Sequence, residues 1–134
     1  MNSAFLDTNV LVYLLSDDLL KVGRSKAILA VGGVASVQVL NEFVSVALRK
    51  HALDWTEMEE MLQTFQAVLH IEPLTLDTHD RALEFARRYG FNIYDATILA
   101  AATLAGCDTL YSEDMQDGQA IGALTIRNPF ATPS

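Results

Sequence analysis

Short apolar runs in this chain alternate with segments of helical length and pattern. Strands separated by helices pair through crossover connections, and such connections build parallel sheets. Ser3 to Asp7 is the first apolar run, followed by Thr8 and Asn9, which start helices, and by the apolar segment Val10 to Leu15. Asp17 and Asp18 open a second helix through about Ala30, which Gly32 and Gly33 end, and Val34 to Ser36 is a short strand. Val37 to Lys50 carries apolar residues at helical spacing with a narrow polar stripe of Gln38, Glu42, Ser45 and Arg49. A further helix covers about Trp55 to Val68, capped by Asp54. Ile71 to Leu76 is extended around Pro73, and Asp77 to Tyr89 is an amphipathic helix closed by Gly90. An alanine-rich helix runs from about Tyr94 to Ala105, Thr109 to Tyr111 is a strand, Ser112 to Gly118 is a polar turn, and Leu124 to Arg127 is the last strand. With no tight two-residue hairpin signal, the pattern predicts an α/β fold: a single three-layer α/β/α domain over residues 1–134 with a mainly parallel central sheet.

Several classes of protein are excluded at this point. The longest uncharged run, Ala27 to Asn41, is broken by Gly32, Gly33, Ser36 and Gln38 and falls short of a membrane span. The N-terminus has no basic region before its apolar stretch and carries Asp7 inside it, so a cytoplasmic location without membrane attachment is expected. The lone Cys107 supplies neither a disulfide nor a thiolate metal cluster and reads as a small buried hydrophobe. A formal charge of -8 opposes non-specific attraction to nucleic acid, although Lys21, Arg24 and Lys26, and Arg49 and Lys50, form local basic strips that could meet RNA.

In open parallel sheets ligands bind beyond the carboxyl ends of the strands. The predicted elements place four acids there: Asp7 after the first strand, Glu42 in the helix after the second, Asp95 at the head of the alanine-rich helix, and Asp114 after the strand Thr109 to Tyr111. Asp117 is a fifth candidate. Each has a plainer reading as a helix cap, a solvated position or a turn residue. Taken jointly they are harder to explain, because Glu42 and Asp95 are the only charged residues in the long stretches Ala27 to Leu48 and Tyr89 to Cys107. Two like charges ~4 Å apart repel by about 4 kcal/mol at an effective dielectric of ~20, and the motifs hold no basic residue to offset this. A hard cation such as Mg²⁺ or Mn²⁺ offsets it, and such cations also bind substrate phosphates.

Phe5-Leu6-Asp7-Thr8-Asn9-Val10-Leu11, Val39-Leu40-Asn41-Glu42-Phe43, Ile93-Tyr94-Asp95-Ala96-Thr97-Ile98-Leu99-Ala100-Ala101-Ala102 and Leu110-Tyr111-Ser112-Glu113-Asp114-Met115 resemble, in order and spacing, the motifs of PIN domains. The likeness is strongest to the VapC-type toxins of bacterial toxin-antitoxin pairs, and it extends to Asn128-Pro129-Phe130. The resemblance implies an endoribonuclease dependent on Mg²⁺ or Mn²⁺, usually a homodimer, held inactive by a cognate antitoxin protein. It assigns catalytic and metal-holding roles to Asp7, Glu42, Asp95 and Asp114, with Asn9, Ser112 and Asp117 as accessory positions. Hydrolysis by water would leave 5′-phosphate and 3′-hydroxyl ends. Two rival readings are an aspartyl-phosphate-forming phosphatase or receiver-like domain built on Asp7, and a non-catalytic acidic module that binds a basic partner. Asn9 stands where a phosphatase of that kind would keep its second acid, which weighs against the first rival.

Overall fold

The computed structural model describes residues 3–131, so the ends of the predicted 1–134 domain lie outside it. In chain order the elements are β1 (Ala4–Leu6), α1 (Thr8–Val12) running into a turn of 3₁₀ helix (Tyr13–Leu15), α2 (Leu19–Val31), β2 (Gly33–Ser36), α3 (Val37–His51), α4 (Trp55–Val68), β3 (Leu69–Glu72), α5 (Leu76–Tyr89), α6 (Ile93–Leu104), β4 (Thr109–Tyr111), β5 (Ala120–Ile121) and β6 (Leu124–Arg127). The sheet order is β3-β2-β1-β4-β6-β5, with every pairing parallel except that of β5 with β6. From β1 the chain builds outward through β2 to β3, then crosses back to place β4 on the other side of β1. The crevice where α/β sheets bind ligands opens where the direction of winding reverses, here between the carboxyl ends of β1 and β4.

Local sequence explains most element boundaries. Asp18, Ser36 and Asp54 accept main-chain N–H groups at the starts of α2, α3 and α4, and Thr75 and Thr78 cap α5 reciprocally. The alanine-rich α6 is apolar around most of its circumference, and accordingly Ala96 through Ala102 are all buried. Phe5, Leu6, Ala35, Leu110 and Ile126 of the sheet join Val39, Phe43 and Ala47 of α3 in the core, where Phe43 meets Phe65 of α4 edge-on at 5.0 Å. Cys107 is buried, as expected, and burial pushes its thiol up to about 11.

Three expectations change. The third strand is Leu69–Glu72 rather than Ile71 to Leu76, because it begins directly after α4 and Pro73, which has no N–H to donate, falls just beyond its end. Gly33 starts β2 instead of ending α2. At φ +141° it lies so near β1 that a Cβ would sit 2.6 Å from the Ala4 carbonyl oxygen. Finally, β5 and β6 form a hairpin around Gly122 and Ala123 that the sequence did not announce. Only Gly122 of that pair takes positive φ, +60°, so the turn needs one glycine and lacks the Asn-Gly or Asp-Gly signature.

These glycines separate two effects of one substitution. Gly33→Ala should lower stability by about 3 kcal/mol, from backbone strain and a clash with β1. Gly23→Ala, in mid-helix with nothing near its Cβ position, should raise stability by about 0.5–1 kcal/mol. Urea denaturation of the two variants checks both signs.

Candidate active site

Asp7 follows β1 directly and is the N-cap of α1. Its Oδ1 accepts the Thr8 main-chain N–H at 2.7 Å, and its Oδ2 accepts the Ser112 hydroxyl at 2.7 Å and the Asn9 amide at 3.4 Å. Ser112, fully buried after β4, also accepts the N–H groups of Asp114 at 3.2 Å and Met115 at 3.3 Å. One hydroxyl therefore ties Asp7 to the turn that carries Asp114. Asn9 makes a second tie: its amide donates to Asp114 Oδ2 at 3.3 Å, and its Oδ1 accepts the Glu113 N–H at 3.3 Å.

Glu42 and Asp95 approach this end of the sheet from α3 and α6. Gln38, one turn earlier on α3, donates to Glu42 Oε2 at 3.0 Å. Asn92, and not Asp95, is the N-cap of α6; it accepts the Asp95 N–H at 2.9 Å while its amide donates to Asp95 Oδ2 at 3.0 Å. Asp95 is thus free to face the cleft instead of being used up as a cap. Glu42 and Asp95 line one cavity between α3 and the start of α6, and Glu42 lines a second with Thr8, Asn9 and Asp114.

The electrostatics show that the acids act on one another. Burial pushes the Asp7 carboxyl up to about 7, with further upward pressure from Asp95 and Glu42, against the lowering effect of the bonds from Ser112 and Thr8. Burial likewise raises Glu42, assisted by Asp95 and Asp114, and raises Asp95, assisted by Asp114. Among the described residues none of the four forms a salt bridge. The donors are all oxygen, the set a hard divalent cation prefers. In the positions they occupy here, no three His, Cys, Asp or Glu side chains among the described residues are close enough to share one ion.

A family model for the PIN domain matches residues 4–117. This chain belongs to the PIN domain family. Its fold is similar to that of a toxin-antitoxin complex from Klebsiella pneumoniae, at 22% identity and TM-score 0.74, over 97% of this chain and 100% of the other. It is also similar to VapC20 of Mycobacterium tuberculosis, a sarcin-ricin loop cleaving toxin, at 23% identity and TM-score 0.69, over 84% of this chain and 90% of that one. A third likeness is to VapBC2 of Rickettsia felis bound to a fragment of promoter DNA, at 20% identity and TM-score 0.65, over 93% of this chain and 97% of the other. No curated protein matches the chain.

The other predicted positions of this PIN domain fall in different places. Asp117 accepts the Asn128 N–H at 3.0 Å, fastening the turn before β5 to the end of β6 rather than facing the acids. Lys21 is engaged: its amine donates to Glu113 Oε2 and to the Tyr13 hydroxyl, each at 2.9 Å, and lies 4.4 Å from the Tyr13 ring centroid. Arg24 donates to the Pro129 carbonyl at 3.0 Å, while Lys26 is exposed on α2. Arg49 and Lys50, at the end of α3, line the two cavities that Glu42 joins. Among the described residues, no helix is long and apolar enough to cross a membrane.

Sequence reasoning missed the residues that hold the acids in place. Gln38 and Asn92 were legible as polar residues four and three positions before an acid. Glu113 was not, because nothing local reveals that it receives hydrogen bonds from Tyr13 and Lys21. Thr8 reads from the sequence only as a helix starter, yet among the described residues its buried hydroxyl has no hydrogen-bond partner.

The Asp7 shift has a definite sign in stability. Its carboxyl holds a proton in the folded protein up to about pH 7, whereas the unfolded chain loses that proton near the ordinary value of 3.8. The ion-free protein should therefore lose up to about 4 kcal/mol of stability as pH rises between those values. Asp7→Asn lacks this component. The urea midpoint of Asp7→Asn should lie near that of the parent at pH 4 and exceed it at pH 8, measured in chelator.

Proposed function

We propose that this PIN domain is a divalent-cation-dependent endoribonuclease and the toxin of a toxin-antitoxin pair. The observation that carries the reading is the electrostatic coupling of Asp7, Glu42, Asp95 and Asp114, from four separate segments, with no basic residue paired to any of them among the described residues. Such an arrangement is unfavourable until a cation neutralises it. To hold Mg²⁺ or Mn²⁺ together, Asp7, Asp95 and Asp114 would have to draw closer than they stand here, with Glu42 beside them. The cation would lower the pKa of a bound water and counter charge on the scissile phosphate.

The protein's own groups supply orientation and proton transfer. Ser112 and the Thr8 N–H fix both oxygens of Asp7, so this carboxylate has little freedom to lose on binding. Gln38 holds Glu42 Oε2, and Oε1 is left to align an attacking water and accept its proton. Burial raises the Glu42 pKa, which makes its carboxylate a stronger base than an ordinary one. Arg49 and Lys50 on the cleft wall meet flanking phosphates, which offsets locally the overall charge of -8. Attack by water leaves 5′-phosphate and 3′-hydroxyl ends.

The toxin assignment draws on the structural likeness to a toxin-antitoxin complex and to a toxin that cleaves the sarcin-ricin loop. A cognate antitoxin is the expected protein partner, and a homodimer the expected assembly. A cytoplasmic location follows from that role.

Defined RNAs incubated with the protein should be cut in Mn²⁺ or Mg²⁺ and remain intact in chelator. Asp7→Asn and Glu42→Gln should each reduce the rate by roughly 10²–10⁴-fold. A 2′,3′-cyclic phosphate product, or cutting that persists in chelator, overturns the mechanism. A second measurement addresses the basic residues: Arg49→Glu with Lys50→Glu should weaken RNA binding and flatten its dependence on salt by about one phosphate contact per residue.

A further inference from the structure

Two of the four tyrosines have aromatic or cationic partners, Tyr13 against Phe130 and Lys21 and Tyr89 between Phe85 and Phe91, and a third, Tyr111, is half-buried in β4 and packs against the core. Tyr94 is different. It is 64% exposed, and among the described residues its ring meets no other aromatic or cationic group and its hydroxyl makes no hydrogen bond. A single exposed aromatic is unremarkable in itself, but this one adjoins Asp95 at the head of α6 and lines the cavity shared by Glu42, Asp95 and Arg49. The amides of Gln38 and Asn92 line that cavity too, although each already donates to an acid.

An aromatic face, a guanidinium and a cluster of acids in one open cleft match the parts of an unpaired nucleotide. A base stacks on a ring whatever its identity, because every base has a π-face, and the neighbouring phosphate pairs with a cation. In an A-form duplex the bases are stacked on one another and their faces are closed to a side chain. On the nuclease reading above, we propose that Tyr94 is the platform on which an unpaired base next to the scissile phosphate stacks. Tyr94 contacts the substrate without joining the acid cluster.

The test uses the full chain in chelator, with mixed-sequence single-stranded oligoribonucleotides carrying 2-aminopurine and duplexes of the same sequences as probes. Wild type should bind the single strands more tightly and quench 2-aminopurine fluorescence. Tyr94→Ala should weaken single-strand binding about tenfold or more and abolish the quenching. Tyr94→Phe should retain both, since the ring and not the hydroxyl does the stacking. In cation, the cleavage defect of Tyr94→Ala should fall more on KM than on kcat. Unchanged binding by Tyr94→Ala, equal affinity for duplex, or a change confined to self-association in sedimentation overturns the stacking role. If wild type cleaves RNA and Tyr94→Ala behaves identically, only this inference fails; if wild type neither binds nor cleaves RNA, the nuclease reading fails with it.

Discussion

The hydrogen bond from the buried Ser112 hydroxyl to Asp7 joins the carboxyl ends of β1 and β4, the two adjacent strands between which the winding of the sheet reverses. Parallel pairing of Leu6 with Tyr111 brings the following residues of each strand to the same edge. A carboxyl buried there would be costly without hydrogen bonds, and Ser112, Asn9 and the Thr8 N–H provide them. They position Asp7 without neutralising it. Burial still raises the carboxyl to about 7 against the lowering effect of these bonds, so it remains responsive to any positive charge that enters the cleft.

Around that contact, Glu42 and Asp95 are each held by a neighbour close to them in sequence, while Asn9 reaches Asp114 from α1. Gln38 steadies Glu42 from the preceding helical turn, and Asn92 caps α6 in place of Asp95. The turn after β4 is clasped from outside as well, where Glu113 accepts hydrogen bonds from Tyr13 and Lys21, and Tyr13 packs edge-on against Phe130 at 4.7 Å. These polar supports surround a core in which small alanines let α6 approach its neighbours closely and Phe43 and Phe65 fill the space between α3 and α4. The rigid frame and the charged cleft thus share the same helices. Burial of one face of α3 and α6 is what brings Glu42 and Asp95 into the cleft.

Much of this was legible because it depends on short-range rules. Asp54, Gly90 and the apolar spacing of Val37 to Lys50 report on residues within a turn or two of themselves, and those elements form almost as read. Glu42 and Asp95 stood out through their isolation, because a lone charge in an apolar helix requires a reason that lies elsewhere in the fold, and Asp7 and Asp114 through their places directly after strands. What went unread was long-range or weakly marked. Gly33 looked like a helix terminator beside Gly32, whereas its lack of a Cβ serves the approach of β1 to β2. Lys21 and Arg24 looked like a free basic strip, but a charge pattern cannot show that Glu113 and the Pro129 carbonyl lie within reach. The hairpin at Gly122 was hidden by a turn that uses one glycine and no aspartate or asparagine.

By itself the sequence determined the class of fold and singled out the acids as candidates, since hydrophobic periodicity selects helix or strand locally and a lone carboxylate in an apolar segment, as at Glu42 and Asp95, is visible without coordinates. Only the tertiary structure decided which of the candidate groups share one cleft. Asp7 and Asp114 are 107 positions apart in the chain yet are bridged by a single asparagine, while Asp117, three positions after Asp114, fastens a different turn. The physical reason is that electrostatic and hydrogen-bond energies depend on distances of a few ångströms in space, which the crossover connections of a parallel sheet set independently of distance along the chain.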